Sequence, residues 1–116
     1  MKKILLGLLL VGSLLQADKK PIFIMVYDQS CNACNQTISL IARNKDLGNA
    51  ITKLTKPFQM TVQEAEQNNL LVRSVPTFFL LDPNTNKMLV KPLEGAIKDP
   101  KDFTRFLKQI HSALNQ

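Results

Sequence analysis

The sequence predicts an α/β layered domain, a mixed β-sheet flanked by helices. Three observations predict it. Two strongly apolar runs, 21–27 and 77–81, have the length and the β-branched and aromatic content of buried strands. Stretches with apolar residues at helical spacing lie between and after them. No repeat, low-complexity tract or internal linker interrupts the order strand, helix, strand, helix, strand, strand, helix.

The fold is expected to begin after residue 17. Met1-Lys2-Lys3 is a short positive start, and Ile4 to Leu15 is apolar except for Gly7, Gly12 and Ser13. The small Ala17 ends the run, and the polar Asp18-Lys19-Lys20 follows. That is the layout of a secretory signal peptide over 1–17, with the cut expected after Ala17. A bilayer span needs roughly 20 apolar residues, and this run is about 12. An uncleaved anchor is the competing reading, and no cysteine lies near the cut to carry a lipid. A single domain over 18–116, about 99 residues, is the size of one core.

The elements follow in order. Pro21 to Tyr27 is a strand buried on both faces. A helix is expected from about Cys31 to Lys45, with Ile38, Ile41 and Ala42 on one face. A short helix over 49–55 turns Ile51 and Leu54 inward, and Pro57 ends it. Phe58 to Val62 alternates apolar and polar, as a strand does. Gln63 to Leu71 is helix-compatible, with Ala65, Leu70 and Leu71 as inner contacts. Thr77 to Leu81 is the second buried strand. The turn formers of 82–87 lead into a last strand over Met88 to Leu93, where Pro92 fits only at an edge or end. Asp99-Pro100 caps and opens a final helix. Its inner face carries Phe103, Phe106, Leu107, Ile110 and Leu114.

The formal charge is +6, from 15 basic and 9 acidic residues. Without Lys2 and Lys3 it is +4 and scattered along the chain. No basic stripe is interleaved with aromatics, so nucleic-acid binding has no support. Both cysteines lie in Cys31-Asn32-Ala33-Cys34. One close pair is not the framework of a disulfide-stapled mini-protein.

A Cys-x-x-Cys that follows a buried strand and opens a helix has a physical logic. The helix N-terminus presents unpaired N–H groups and about half a positive charge. A thiolate there is stabilised. Cys31 is expected to be the exposed nucleophile, forming a mixed disulfide with a partner. Cys34, one turn on and more buried, is expected to resolve it. Two other readings stay open at this point. One is a static disulfide, which gains only about 2 kcal/mol from so short a loop. The other is copper(I) held by the two thiolates. Zinc needs about four ligands, and His111, the sole histidine, lies late on the last helix as a boundary residue.

Two further segments make the pattern specific. Ser74-Val75-Pro76-Thr77 leads into a strand, with Pro76 42 residues after Cys34, and Leu93-Glu94-Gly95-Ala96 precedes the last helix. With the cysteine pair, they make residues 21–115 resemble the thioredoxin family, in its small exported branch. The resemblance implies a thioredoxin-like fold and thiol-disulfide oxidoreductase activity. It implies that Cys31 and Cys34 form a redox-active disulfide and that Pro76 is cis. Val75 and Pro76 would then line a substrate groove where an extended peptide pairs with the Val75 backbone. No organic cofactor or metal is implied. The expected partners are exported proteins with thiols or disulfides and a membrane thiol-disulfide relay that supplies electrons, and a monomer is expected.

Departures from the family pattern narrow this. The chain has no tryptophan; Tyr27 and Ser30 stand where the flanking tryptophans would. Met25 occupies the place of the buried acid that handles protons for the second cysteine, which leaves Asp28 as the candidate for that task. Asn32-Ala33 brings no cation, so moderate activation is expected from the helix N-terminus alone. A reductant or general exchange role is favoured. A non-catalytic binding module with a static disulfide and a copper(I) carrier are the alternatives.

Overall fold

Residues 18–116 are described by a computed structural model. The expected signal peptide, 1–17, and its cut after Ala17 lie outside the described residues. Within that range Ile22–Tyr27 forms β1, Asn32–Arg43 α1, Lys45–Leu54 α2, Lys56–Thr61 β2 and Val62–Gln67 α3. Thr77–Leu81 forms β3, Leu93–Glu94 β4 and Pro100–Leu114 α4. The sheet order is β2-β1-β3-β4. β1 pairs parallel with β2 and antiparallel with β3, and β3 pairs antiparallel with β4. A mixed sheet with helices on both faces is the architecture that the element order predicts.

The two apolar runs form adjacent central strands, and strand periodicity divides their side chains between two cores. Phe23, Met25, Phe78 and Leu80 point to one side, where they meet Cys34, Leu47, Ile51 and Leu107 from α1, α2 and α4. Ile24, Val26, Phe79 and Leu81 point to the other, where they meet Ala65 of α3 and Leu70. Because both faces are covered, neither strand shows polar alternation.

Several boundaries differ from expectation. The break between the first two helices falls at Asn44, not around Gly48. Asn44 ends α1 with its N–H on Leu40 O and starts α2 by accepting from Leu47 N at 3.0 Å. An Asn before Lys-Asp-Leu is an N-cap signal, with Asp46 in the first turn. Gly48 then sits inside α2, where an added Cβ would stand 3.3 Å from Ile41 O. On α1 the buried positions are Cys34 and Thr37, with Ile38 and Ile41 packed beside them, and Ala42 faces solvent. The third helix stops at Gln67, and Leu71, expected inward, is 80% exposed while Leu70 is buried.

The expected strand over 88–93 is mostly absent. A single bridge joins Met88 to Leu81, and only Leu93–Glu94 makes a ladder with β3. Pro92 has no N–H to give, so pairing resumes only after it. The 82–87 turn does close, with Asp82 N on Lys87 O at 2.8 Å and Asn86 at φ 61°.

α4 matches its expected cap. The Asp99 carboxylate accepts from Lys101 N at 2.9 Å, and Pro100 takes the first helical position. Asp99→Ala is expected to cost about 1 kcal/mol, the usual value of such a cap. It should appear as a lower urea midpoint with an unchanged slope. At the other end of α4, Asn115 exchanges two 2.8 Å hydrogen bonds with the Lys19 backbone, and His111 Nε2 lies 2.7 Å from Asp18 Oδ1. The start of the described chain is thus fastened to its last helix.

Candidate active site

Three segments distant in sequence converge beyond the C-terminal end of β1. The first is the turn after it. Asp28 O accepts the Cys31 N–H at 3.0 Å, and Asp28 Oδ1 accepts the Ser30 N–H and hydroxyl, both at 3.0 Å. This turn delivers the chain into α1 with Cys31 as its N-cap, at φ −85° and ψ 111°. The Cys31 sulfur takes the place of the usual capping oxygen and accepts the Cys34 N–H at 3.1 Å. One of the helix's unpaired donors is thereby aimed at the sulfur, the arrangement that favours negative charge on it.

The second segment enters β3. The Val75–Pro76 peptide bond is cis. The Cys31 thiol donates to Val75 O at 3.6 Å, so the first cysteine and the residue before the cis proline are in contact. Thr77 Oγ1 donates to Ser74 O at 2.6 Å, inside the same turn. The third segment follows β4. Gly95 N donates to Pro76 O at 2.9 Å, and its φ of 99° is one that side-chain-bearing residues rarely adopt. Arg73 pairs with Glu94 across the surface at 3.2 Å.

Both cysteines are free thiols here, Cys31 half-buried and Cys34 fully buried. Burial pushes the Cys34 thiol up to about 11, with a smaller contribution from its hydrogen bond with Cys31. From the ordinary 9.0 to about 11 the folded chain keeps a proton that the unfolded chain has lost. Stability is therefore expected to fall as pH rises through that window. Thermal melts between pH 8 and 11, compared with Cys34→Ser, check this: the variant should lack that part of the alkaline decline.

The sequence-predicted residues Cys31, Cys34, Val75 and Pro76 are brought together. Asp28, the candidate proton handler, lies in the turn before them. Its exposed carboxyl is held below the usual carboxylate range by the Ser30 N–H and then the Ser30 hydroxyl. Asp28 bears on the pair in two opposed ways: its carbonyl accepts from Cys31 N and its backbone favours the Cys34 thiolate, while its carboxylate charge disfavours that thiolate. Sequence reading passes over Thr37, which is 1% exposed one turn beyond Cys34. The spacing of Cys34, Thr37, Ile38 and Ile41 is the signal that places a polar residue on that inner face.

Among the described residues, no group of three or more His, Cys, Asp or Glu is placed to hold a metal ion. No described helix is long and apolar enough to cross a membrane. Four of the basic residues, Lys53, Lys101, Arg105 and Lys108, share the walls of a cavity of about 640 Å³ with a single acid, Asp46.

The fold and this site together define a class, an α/β domain carrying a dithiol at a helix N-terminus beside a cis-proline turn. A family model described as a thioredoxin-like domain matches residues 13–111, and the chain belongs to that family. No curated protein sequence matches the chain. Solved structures share its fold at low identity. The reduced C-terminal domain of Neisseria meningitidis DsbD superposes with a TM-score of 0.59 at 17% identity, covering 92% of this chain and 95% of that one. A Thermus thermophilus thioredoxin gives 0.61 at 17% identity, covering 78% of this chain and 73% of that one. Mitochondrial thioredoxin 3 of Saccharomyces cerevisiae gives 0.55 at 17% identity, covering 88% and 89%.

Proposed function

We propose that this protein is an exported thiol-disulfide oxidoreductase acting on disulfides of other exported proteins, as a reductant or in general exchange. The observation that carries the reading is the division of labour within the pair. Cys31 caps the helix with its sulfur, half-exposed and against Val75 O, while Cys34 is fully buried with its proton held tightly. In the reductive direction the Cys31 thiolate attacks one sulfur of the partner's disulfide. The partner's second sulfur leaves as a thiolate, and a mixed disulfide remains. Cys34 then gives up its proton, which neutralises a departing thiolate, and attacks the Cys31 sulfur. The partner leaves with one thiol and one thiolate, the latter taking its proton from water, and the Cys31–Cys34 disulfide holds the oxidation that the partner has lost. The partner's backbone would lie along Val75 as an added strand.

Export rests on the signal-like order of residues 1–17, and a periplasmic location is its natural reading. Electrons would then come from a membrane thiol-disulfide relay, since the envelope has no free supply of reduced nucleotide. A structural neighbour, the DsbD C-terminal domain, is solved in reduced and oxidised forms, which supports a two-state dithiol on this fold. The residue 18–116 domain is expected to accelerate insulin reduction by dithiothreitol. Precipitation no faster than with dithiothreitol alone overturns the enzyme reading. The redox state of the pair in intact cells gives the direction, mostly reduced for a donor and mostly oxidised for an acceptor.

A further inference from the structure

The Thr37 hydroxyl is an anomaly. Thr37 is 1% exposed, and its Oγ1 is the one buried side-chain polar atom among the described residues without a hydrogen-bond partner. Buried hydroxyls are nearly always satisfied, and threonines inside helices usually are so by bonding back to the carbonyl four residues earlier. This chain follows that habit elsewhere: Thr52 bonds to Gly48 O at 3.0 Å, Thr104 to Pro100 O at 2.7 Å, and Thr55 to Ile51 O. Thr37 does not. Its place explains what it could serve. It follows Cys34 by three residues on the same buried face of α1, where Cβ atoms lie about 5–6 Å apart, and helical side chains lean toward the preceding turn. Around Cys34 the wall is apolar, and the nearby β1 position that would suit a buried acid is Met25, 2% exposed.

We propose that the Thr37 hydroxyl is a working member of the site, a donor held in reserve for the Cys34 thiolate. In the resting dithiol Cys34 is protonated, and the hydroxyl has no anion to serve. When Cys34 loses its proton to the departing partner thiolate and attacks Cys31, charge appears in an apolar pocket. Thr37 Oγ1–H then donates to the Cys34 sulfur. No net proton passes to the threonine. The bond that forms is Cys34–Cys31, and the one that breaks is Cys31 to the partner sulfur. A hydrogen bond to the charged form favours it, so the hydroxyl lowers the barrier to resolution without touching the first attack. This inference rests on the exchange reaction proposed above.

The test separates the two. In a Cys31→Ser background Cys34 is the only thiol of the chain. Its thiolate absorbance is titrated with Thr37 intact, as Thr37→Val and as Thr37→Ser. Valine keeps the shape and removes the donor; serine keeps the donor. Valine is expected to move the midpoint up by about one unit, a roughly tenfold smaller thiolate fraction, and serine to leave it within about twofold. In the two-cysteine protein, valine should slow mixed-disulfide resolution about threefold, since the tenfold smaller thiolate fraction is partly offset by the greater nucleophilicity of a more basic thiolate, while the alkylation rate of Cys31 stays unchanged. An unshifted midpoint with a higher melting temperature for valine overturns the proposal, as does an equal shift for serine and valine. The titration reads Thr37 even if wild-type protein fails to reduce insulin, so the two readings fail separately.

Discussion

Replacing Cys31 by serine is expected to remove the whole protein-dependent rate of disulfide reduction, while replacing Cys34 by serine leaves the first half of the reaction intact. The reason lies in what each sulfur contacts. Cys31 is the helix N-cap and the half-exposed member, so it alone is placed to meet an incoming disulfide. Without Cys34 the mixed disulfide has no resolving thiol and should accumulate. Non-reducing gels of Cys34→Ser, incubated with a disulfide substrate, should show the partner attached and released by dithiothreitol. Residual turnover by Cys31→Ser above background would put the chemistry elsewhere, and a Cys34→Ser protein that traps nothing would deny the two-step sequence. The same gels locate the partner, since the trapped species carries it covalently.

Phe78→Ala is expected to be the most damaging single change to the fold. Phe78 is 1% exposed on central strand β3. Its ring stacks on Phe23 at 5.6 Å and lies 5.5 Å from Phe103, which ties β1, β3 and α4 together. Truncating such a residue costs about 3–5 kcal/mol, because the cavity closes only partly. Domains of this size hold about 5–15 kcal/mol in total. Urea unfolding should show the loss as a midpoint shift. A change below about 1 kcal/mol would mean that the ring is not in the core.

The parts of the fold that were legible in the sequence are those where one local signal agrees with the tertiary outcome. The strand at 77–81 is apolar because both its faces are covered, and Asp99-Pro100 caps α4 as such a pair should. The misses have physical causes. Asn44 does two jobs, ending one helix and starting the next, and its neighbours alone read as continuous helix. Leu70 and Leu71 are equally apolar, and only the turn after α3, with Asn69 at φ 61°, decides which one faces inward. The hairpin strand fails because Pro92 cannot join a ladder, while turn chemistry alone favoured the hairpin. At the site, the four residues Cys31, Cys34, Val75 and Pro76 could be named from motif and resemblance. The Asp28–Ser30 hydrogen bonds and the bare Thr37 hydroxyl could not, because they depend on side-chain directions that spacing does not carry.

The rim of the sheet is guarded on one side. β2 is an outer strand, and Lys56 N points inward to Pro21 O at 2.9 Å. Alternation then turns the Pro57 position outward, where proline has no hydrogen to offer a stray strand. Lys56, exposed beside it, adds a charge that a self-associating edge would have to bury. The border near Phe58 is in this way made unattractive to other copies of the chain, even though that ring is half-exposed. If a partner's backbone pairs at Val75 as proposed, the β2 border is a place where no such pairing is invited.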